Sequence, residues 1–243
     1  MGRAALCSID KETLQLSATS RIIKIFTESS VFLLVATFAV ILLIIGMLLP
    51  VKSTTPVPEL PWQIEQSANG LRVFGLTLGH STVADAQKKF HEQAEISLFV
   101  SDTGKFAVEA YFDQVNLGGL RAKVVLTAAL SQADLQAMHD RGLRTSAIGS
   151  GRKVELHHDD RSKVWQSAIG SINYLPSSTL DEALIVQRFG EPAQRVREEK
   201  SEILHLLYPQ KGLDIALNKK NKAVFQYFPP QDFHCRPLYK GSL

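Results

Sequence analysis

The run Val31–Leu49, VFLLVATFAVILLIIGMLL, constrains this chain more than any other stretch. It holds nineteen consecutive residues with no charge, no proline and no side-chain amide. At about 1.5 Å of rise per residue a helix of that length reaches roughly 28 Å, close to the ~30 Å hydrocarbon core of a bilayer. Backbone in lipid must satisfy its own hydrogen bonds, so the run is expected to be a single transmembrane helix. A cleaved signal peptide fits poorly. Its apolar region is shorter, whereas here thirty residues precede a long run and Leu48–Leu49–Pro50–Val51 lacks small residues at the cleavage positions.

The basic flanks orient the helix. Arg3, Lys11, Arg21 and Lys24 precede it, and after it only Lys52 appears before Arg72. Basic residues stay on the cytoplasmic side, so the expectation is a single-pass signal-anchor with residues 1–30 as a cytoplasmic tail and Val51–Leu243 outside. In a bacterium this places the protein in the inner membrane with its C-terminal domain in the periplasm. Of the 27 basic and 24 acidic residues, four basic and three acidic ones precede the run, which leaves a net charge of +2 beyond it. That balance gives no electrostatic case for nucleic acid. The cysteines, Cys7 and Cys235, would lie on opposite sides of the membrane and cannot pair with each other. The exported part must then be held by its apolar core.

Pro50, Pro56, Pro58 and Pro61 mark residues 50–61 as a Pro-rich linker in extended conformation. Beyond it the pattern predicts alternating short strands and helices. Leu71–Leu78 reads as a strand. Ser81 or Thr82 caps a helix over Val83–His91 with Val83, Ala86 and Phe90 on one face. Ile96–Val100, Lys105–Phe112 and Leu120–Leu126 read as strands, separated by turns at Asp102–Gly104 and Asn116–Gly119. Ser131 opens a helix over Gln132–Arg141, closed by Gly142. Val154–His157 is a strand, Asp159–Ser167 one or two helical turns, and Ile172–Leu175 a strand. Thr179-x-x-Glu182 is a capping box for a helix to Phe189, with Gly190 as its left-handed cap. Strands at Ile203–Tyr208, Leu213–Leu217 and Ala223–Phe228 complete the chain.

Two segments share this order: a capped helix ending in Phe (Phe90, Phe189), then a meander with Gly-Leu opening a later strand (Gly119–Leu120, Gly212–Leu213). The expected fold class is therefore α+β. The N-terminal transmembrane helix (31–49) is followed by two small helix-plus-antiparallel-sheet units, 62–150 and 151–243, read as a duplication. In the second, Thr179-Leu-Asp-Glu-Ala-Leu-Ile-Val-Gln-Arg-Phe-Gly-Glu-Pro192 followed by Tyr208-Pro-x-x-Gly212-Leu213 and a hairpin resembles the SmpA/OmlA (BamE-like) lipoprotein family. The resemblance spans roughly 176–233, with a fainter echo at 75–130. It implies a helical pair on a three-stranded antiparallel sheet, a binding scaffold without catalytic residues, and a Gram-negative envelope. Those proteins carry a lipidated cysteine where this chain has an apolar span.

Candidate chemistry is sparse. His157-His158-Asp159-Asp160 offers metal-ligand types, with His205 or His234 to complete a set. On a strand, however, neighbouring residues point to opposite faces, and the favoured reading is a polar strand end whose Asp159 or Asp160 caps a helix. Gly149-Ser150-Gly151 and Gly79-His80-Ser81 fit neither a nucleophile elbow nor a phosphate loop. Glu109 and Asp113 could form an acid–base pair, but Glu109 falls on the polar side of its strand. Phe106, Phe112, Tyr174, Tyr208, Phe225 and Tyr227 line either a groove or, by their alternation, the core. No catalytic, cofactor-binding or metal residue is assigned. The expected function is a non-catalytic, membrane-anchored periplasmic module that binds another envelope protein. The alternatives are a metal-assisted hydrolase using His157–Asp160 and an enzyme-inhibitor-like module whose sheet covers another protein's active site.

Overall fold

The computed structural model describes residues 37–44, 59–149, 151–199 and 201–235. The expected tail (1–30), Cys7, the outer parts of the apolar run and linker residues 50–58 lie outside the described residues, as do the side chains of His234 and Cys235. The chain divides into two units, Met1–Pro56 and Val57–Leu243. In the first, residues 37–44 are helical (α1) and exposed.

The second unit begins with a small sheet of β1 (Glu65–Ser67), β2 (Gly70–Val73) and β3 (Leu76–Thr77). Helix α2 (Val83–Phe90) and strands β4 (Glu95–Val100), β5 (Phe106–Leu117) and β6 (Leu120–Ala128) follow. Then come α3 (Gln132–Asp140), β7 (Arg144–Ile148), β8 (Gly151–Glu155), α4 (His158–Gln166) and β9 (Ile169–Pro176). The chain ends with α5 (Glu182–Phe189), β10 (Gln194–Arg197), β11 (Leu204–Tyr208), β12 (Leu213–Leu217) and β13 (Ala223–Tyr227). Strands β4 to β13 form one ten-stranded sheet in the order β10-β11-β12-β13-β9-β6-β5-β4-β8-β7. Every neighbouring pair in it is antiparallel.

This corrects the expected fold class in two respects. The two meanders are not separate small units, because β9 pairs with β6 on one side and β13 on the other. An edge strand exposes unpaired backbone groups, and one shared strand removes that exposure from both meanders at once. The expected spanning helix is not found either: no helix among the described residues, which include only 37–44 of the apolar run, is long and apolar enough to cross a membrane.

Register and pleat divide the sheet's residues cleanly. Leu98, Val108, Ala110, Phe112, Val124, Leu126, Ile172, Tyr174, Phe225, Ile215 and Leu206 share one face and are all buried. Helices supply the cover through Val83, Ala86 and Phe90 of α2, Leu135 and Met138 of α3, Val164 of α4, and Ile185 and Phe189 of α5. Thr82 caps α2 in a full capping box with Asp85, as the spacing predicts. At α5 the cap is instead Asp181, whose carboxylate accepts from the Leu184 N–H.

The expected strand Leu71–Leu78 is broken by a tight turn. Val73 pairs with Leu76, and the turn residues Phe74 and Gly75 both have positive φ, 53° and 72°. A buried Phe in that region is costly to place. Its ring packs on Tyr174 at 5.1 Å and Tyr227 at 5.5 Å, and burial of an aromatic side chain stabilises by about 1.5–3 kcal/mol. Tyr227 in turn donates its hydroxyl to the Pro61 carbonyl at 2.8 Å and holds the strap Pro61–Trp62 against the core.

Gly212 opens β12 with φ 56°, and a Cβ there would run into the Phe228 carbonyl. The Phe228 N–H donates to the Gly212 carbonyl at 3.0 Å across the same gap. Gly212→Ala is expected to lower stability by at least ~2 kcal/mol, read as a lower urea midpoint at unchanged slope.

Candidate functional site

The face of the sheet opposite the helices carries the alternate residues. Phe99, Ala107, Glu109, Tyr111, Val125, Thr127, Asn173, Leu175, Val224, Gln226 and Ala216 sit there by register, and every one is half-exposed. Towards β11 and β12 this face is covered: Phe228 and Phe233 pack with Leu207 against Val196, and Asp214 and His205 are buried, as is Ser97 on β4. A hollow of about 440 Å³ lies beside that cover, lined by Thr127, Ser171, Asn173, Gln226 and Asp232. Apolar and polar groups are mixed here as in a non-obligate protein interface.

A smaller cleft of about 210 Å³ lies on the helix-covered side. Trp62, Leu120, Tyr174, Pro176, Leu184, Ile185, Arg188, Phe189 and Phe225 line it. Tyr174 is fully buried and its hydroxyl has no hydrogen-bond partner among the described residues. Burial pushes that phenol up to about 12.

The histidine cluster is arranged differently from expectation. His157 is not on a strand: it is the N-cap of α4, and His158 is the helix's first residue. The two rings lie 4.3 Å apart, and His157, His158 and Asp159 bring one ligand atom each within 4.8 Å of one another. Neither expected aspartate caps the helix, since the cap residue makes no side-chain bond. Asp160 is buried and accepts from Arg141 at 2.7 and 3.3 Å. His205 does not complete the cluster. The donors of the cluster are largely exposed and sit at the positive end of a helix, which disfavours a cation.

His205 instead forms a buried ion-pair site on the sheet. Its Nδ1 lies 2.9 and 3.1 Å from the Asp214 carboxylate, and its Nε2 is 3.4 Å from Glu198. Burial alone would pull its pKa down, but the hydrogen bond and charge of Asp214, with Glu198, outweigh it and hold the ring above its ordinary value. Sequence inspection names His205 only as a metal ligand. Its pairing with Asp214 needs the register in which Leu207 faces Asp214 and His205 faces Ala216.

The remaining candidates are structural. Asp113 is engaged by Tyr111 at 2.5 Å and Lys123 at 2.9 Å, which hold its carboxyl low. Glu109 lies on the open face, where burial raises its pKa. Of the six aromatics, Phe112, Tyr174, Tyr208, Phe225 and Tyr227 are buried core residues, and Tyr174 and Phe225 also line the cleft. Gly149 and Gly151 lie at the turn of the β7–β8 hairpin, of which the sequence pattern marks β8 in part, at Val154, and β7 not at all.

No protein-family model matches this chain, and no curated protein and no solved structure matches it.

Removing the unpartnered Tyr174 hydroxyl relieves the cost of an unsatisfied buried group, so Tyr174→Phe should stabilise the chain by about 1 kcal/mol in urea titration. The His205 site predicts a pH slope. A ring whose folded pKa exceeds the unfolded ~6.5 contributes its full stability below about pH 6.5 and loses it as pH rises through the folded value. The urea midpoint should therefore fall between about pH 6 and pH 8.5, and Asp214→Asn should flatten that fall.

Proposed function

We propose that this chain is a non-catalytic protein-binding module held at the outer face of the bacterial inner membrane, and that the open face of its sheet receives another envelope protein. The observation that carries this reading is the half-exposed face that includes Phe99, Tyr111, Val125, Leu175 and Val224, with Ser97 buried within it. The four helices α2 to α5 place their buried residues on the other side. Apolar side chains left at half exposure over so many adjacent strands favour a docking surface. The family that 176–233 resembles implies a scaffold, which agrees in kind. For the address, the support is the apolar run Val31–Leu49 with its basic residues on one side.

A photo-crosslinking residue at Val125 or Leu175 should capture a discrete partner in living cells, and one at the helix-side position Lys88 should not. Val125→Glu should abolish capture from Leu175 without changing the thermal midpoint. No adduct from the open face, or the same adduct from Lys88, would overturn the reading. In spheroplasts of the same cells, added protease should reach the C-terminal domain. Protection until the membrane is breached would overturn the address.

A further inference from the structure

The ten-stranded sheet ends in two free edges, and they are built differently. Strand β10 carries Arg195 and Arg197 among its four residues and follows Pro192, features that keep a further strand from adding to an edge. Strand β7, Arg144–Ile148, has no proline and a single charge, Arg144, at its end. All five of its residues are exposed, so it is open to solvent on both faces. Leu143 and Ile148 bound it at 60% and 51% exposure, the two most exposed large apolar side chains among the described residues of the Val57–Leu243 unit. A two-residue connection, 149–150, joins β7 to β8, and such a hairpin closes on a hydrogen-bonded pair, here Ile148 with Gly151. Ser146 and Arg144 therefore turn their backbone groups towards β8, while Thr145 and Ala147 turn theirs outward.

We propose that β7 pairs antiparallel with β7 of a second copy of this chain, across a two-fold axis at Ser146. Laid on itself in that register, the edge is self-complementary. Thr145 stands opposite the partner's Ala147, and their outward N–H and C=O groups exchange hydrogen bonds, which the axis repeats. Ser146 meets the partner's Ser146 across a non-hydrogen-bonded pair. Arg144 lies beside the partner's Ile148, its aliphatic stem against that side chain, and no like charges are opposed. The pairing covers the unguarded edge in both copies and joins their open faces into one continuous surface. So short a ladder buries less than the ~1,200 Å² of a standard interface, so the dimer is weak and concentration-dependent. This inference goes beyond the docking role of the open face and does not depend on it.

The test uses the full chain in detergent. Sedimentation equilibrium from about 1 to 200 µM should show a monomer–dimer equilibrium. Ile148→Glu sets a carboxylate beside the partner's Arg144 and should tighten association about tenfold, whereas Ile148→Lys opposes like charges and should weaken it about tenfold, since the axis counts each pair twice. The side chain is exposed, so neither substitution should move the thermal midpoint. With Cys7 and Cys235 replaced by serine, Ser146→Cys should form an intermolecular disulfide under copper phenanthroline. It should do so about ten times faster than Thr145→Cys, because only at 146 do identical residues face each other, at about 4.5 Å between Cα atoms. A monomer throughout that range, an equal response to Ile148→Glu and Ile148→Lys, or equal disulfide rates at the two positions overturns the proposal. If it falls while open-face crosslinks persist, the docking role stands. If those crosslinks fail while the dimer forms, only the docking role falls.

Discussion

Strand β9 is the constraint on which the rest of the molecule depends. Val124 pairs with Tyr174 on one side of it and Phe225 pairs with Tyr174 on the other, so one residue stands at the seam of both meanders. Backbone hydrogen bonds hold the seam, and aromatic packing reinforces it. Tyr174 touches Phe74 at 5.1 Å and Phe225 at 5.6 Å, and Phe225 meets Phe189 of α5 edge-on at 5.4 Å. Without β9 each meander would end in an unpaired edge beside exposed aromatic rings, a state prone to nonspecific pairing.

The same seam positions both the cleft and the open face. Residues of β9 that point one way, Tyr174 and Pro176, floor the cleft beneath Trp62 and α5. Those that point the other way, Asn173 and Leu175, lie near the middle of the open face. Period-two alternation thus assigns adjacent residues of one strand to two different surfaces. The Tyr174 hydroxyl is buried without a partner among the described residues, at a cost in stability that the surrounding aromatic core offsets.

Much of the local structure was legible from residue pattern. The caps Thr82 and Ser131 lie where the sequence puts them, because capping needs only a side-chain oxygen and an amide three residues on. The strand Leu213–Leu217 lies where the sequence puts it, although Asp214 on its polar side is as buried as Leu213 and Ile215 on the other. Other features were not readable. Phe74 adopts a left-handed turn that its residue type disfavours, since only packing against Tyr174 and Tyr227 repays the strain. Strand β7, whose five residues RTSAI are all exposed, carries no hydrophobic period at all and exists because β8 pairs with it. The residues around Val154–His157 carry a strand pattern, yet the helix begins at His158, so the two imidazoles do not point to opposite faces of a sheet.

The sequence by itself determined the helices that carry their own caps, the strands that alternate, the net charge of +2 beyond the apolar run, and the expectation of that run as a membrane segment. These depend on interactions between residues a few positions apart. The tertiary structure alone decided that two similar meanders join into one sheet, that His205 meets Asp214, and that Trp62 closes a cleft over Tyr174. Each of these joins residues distant in sequence. Such contacts are chosen by the collective burial of a whole face, which no local window of residues encodes.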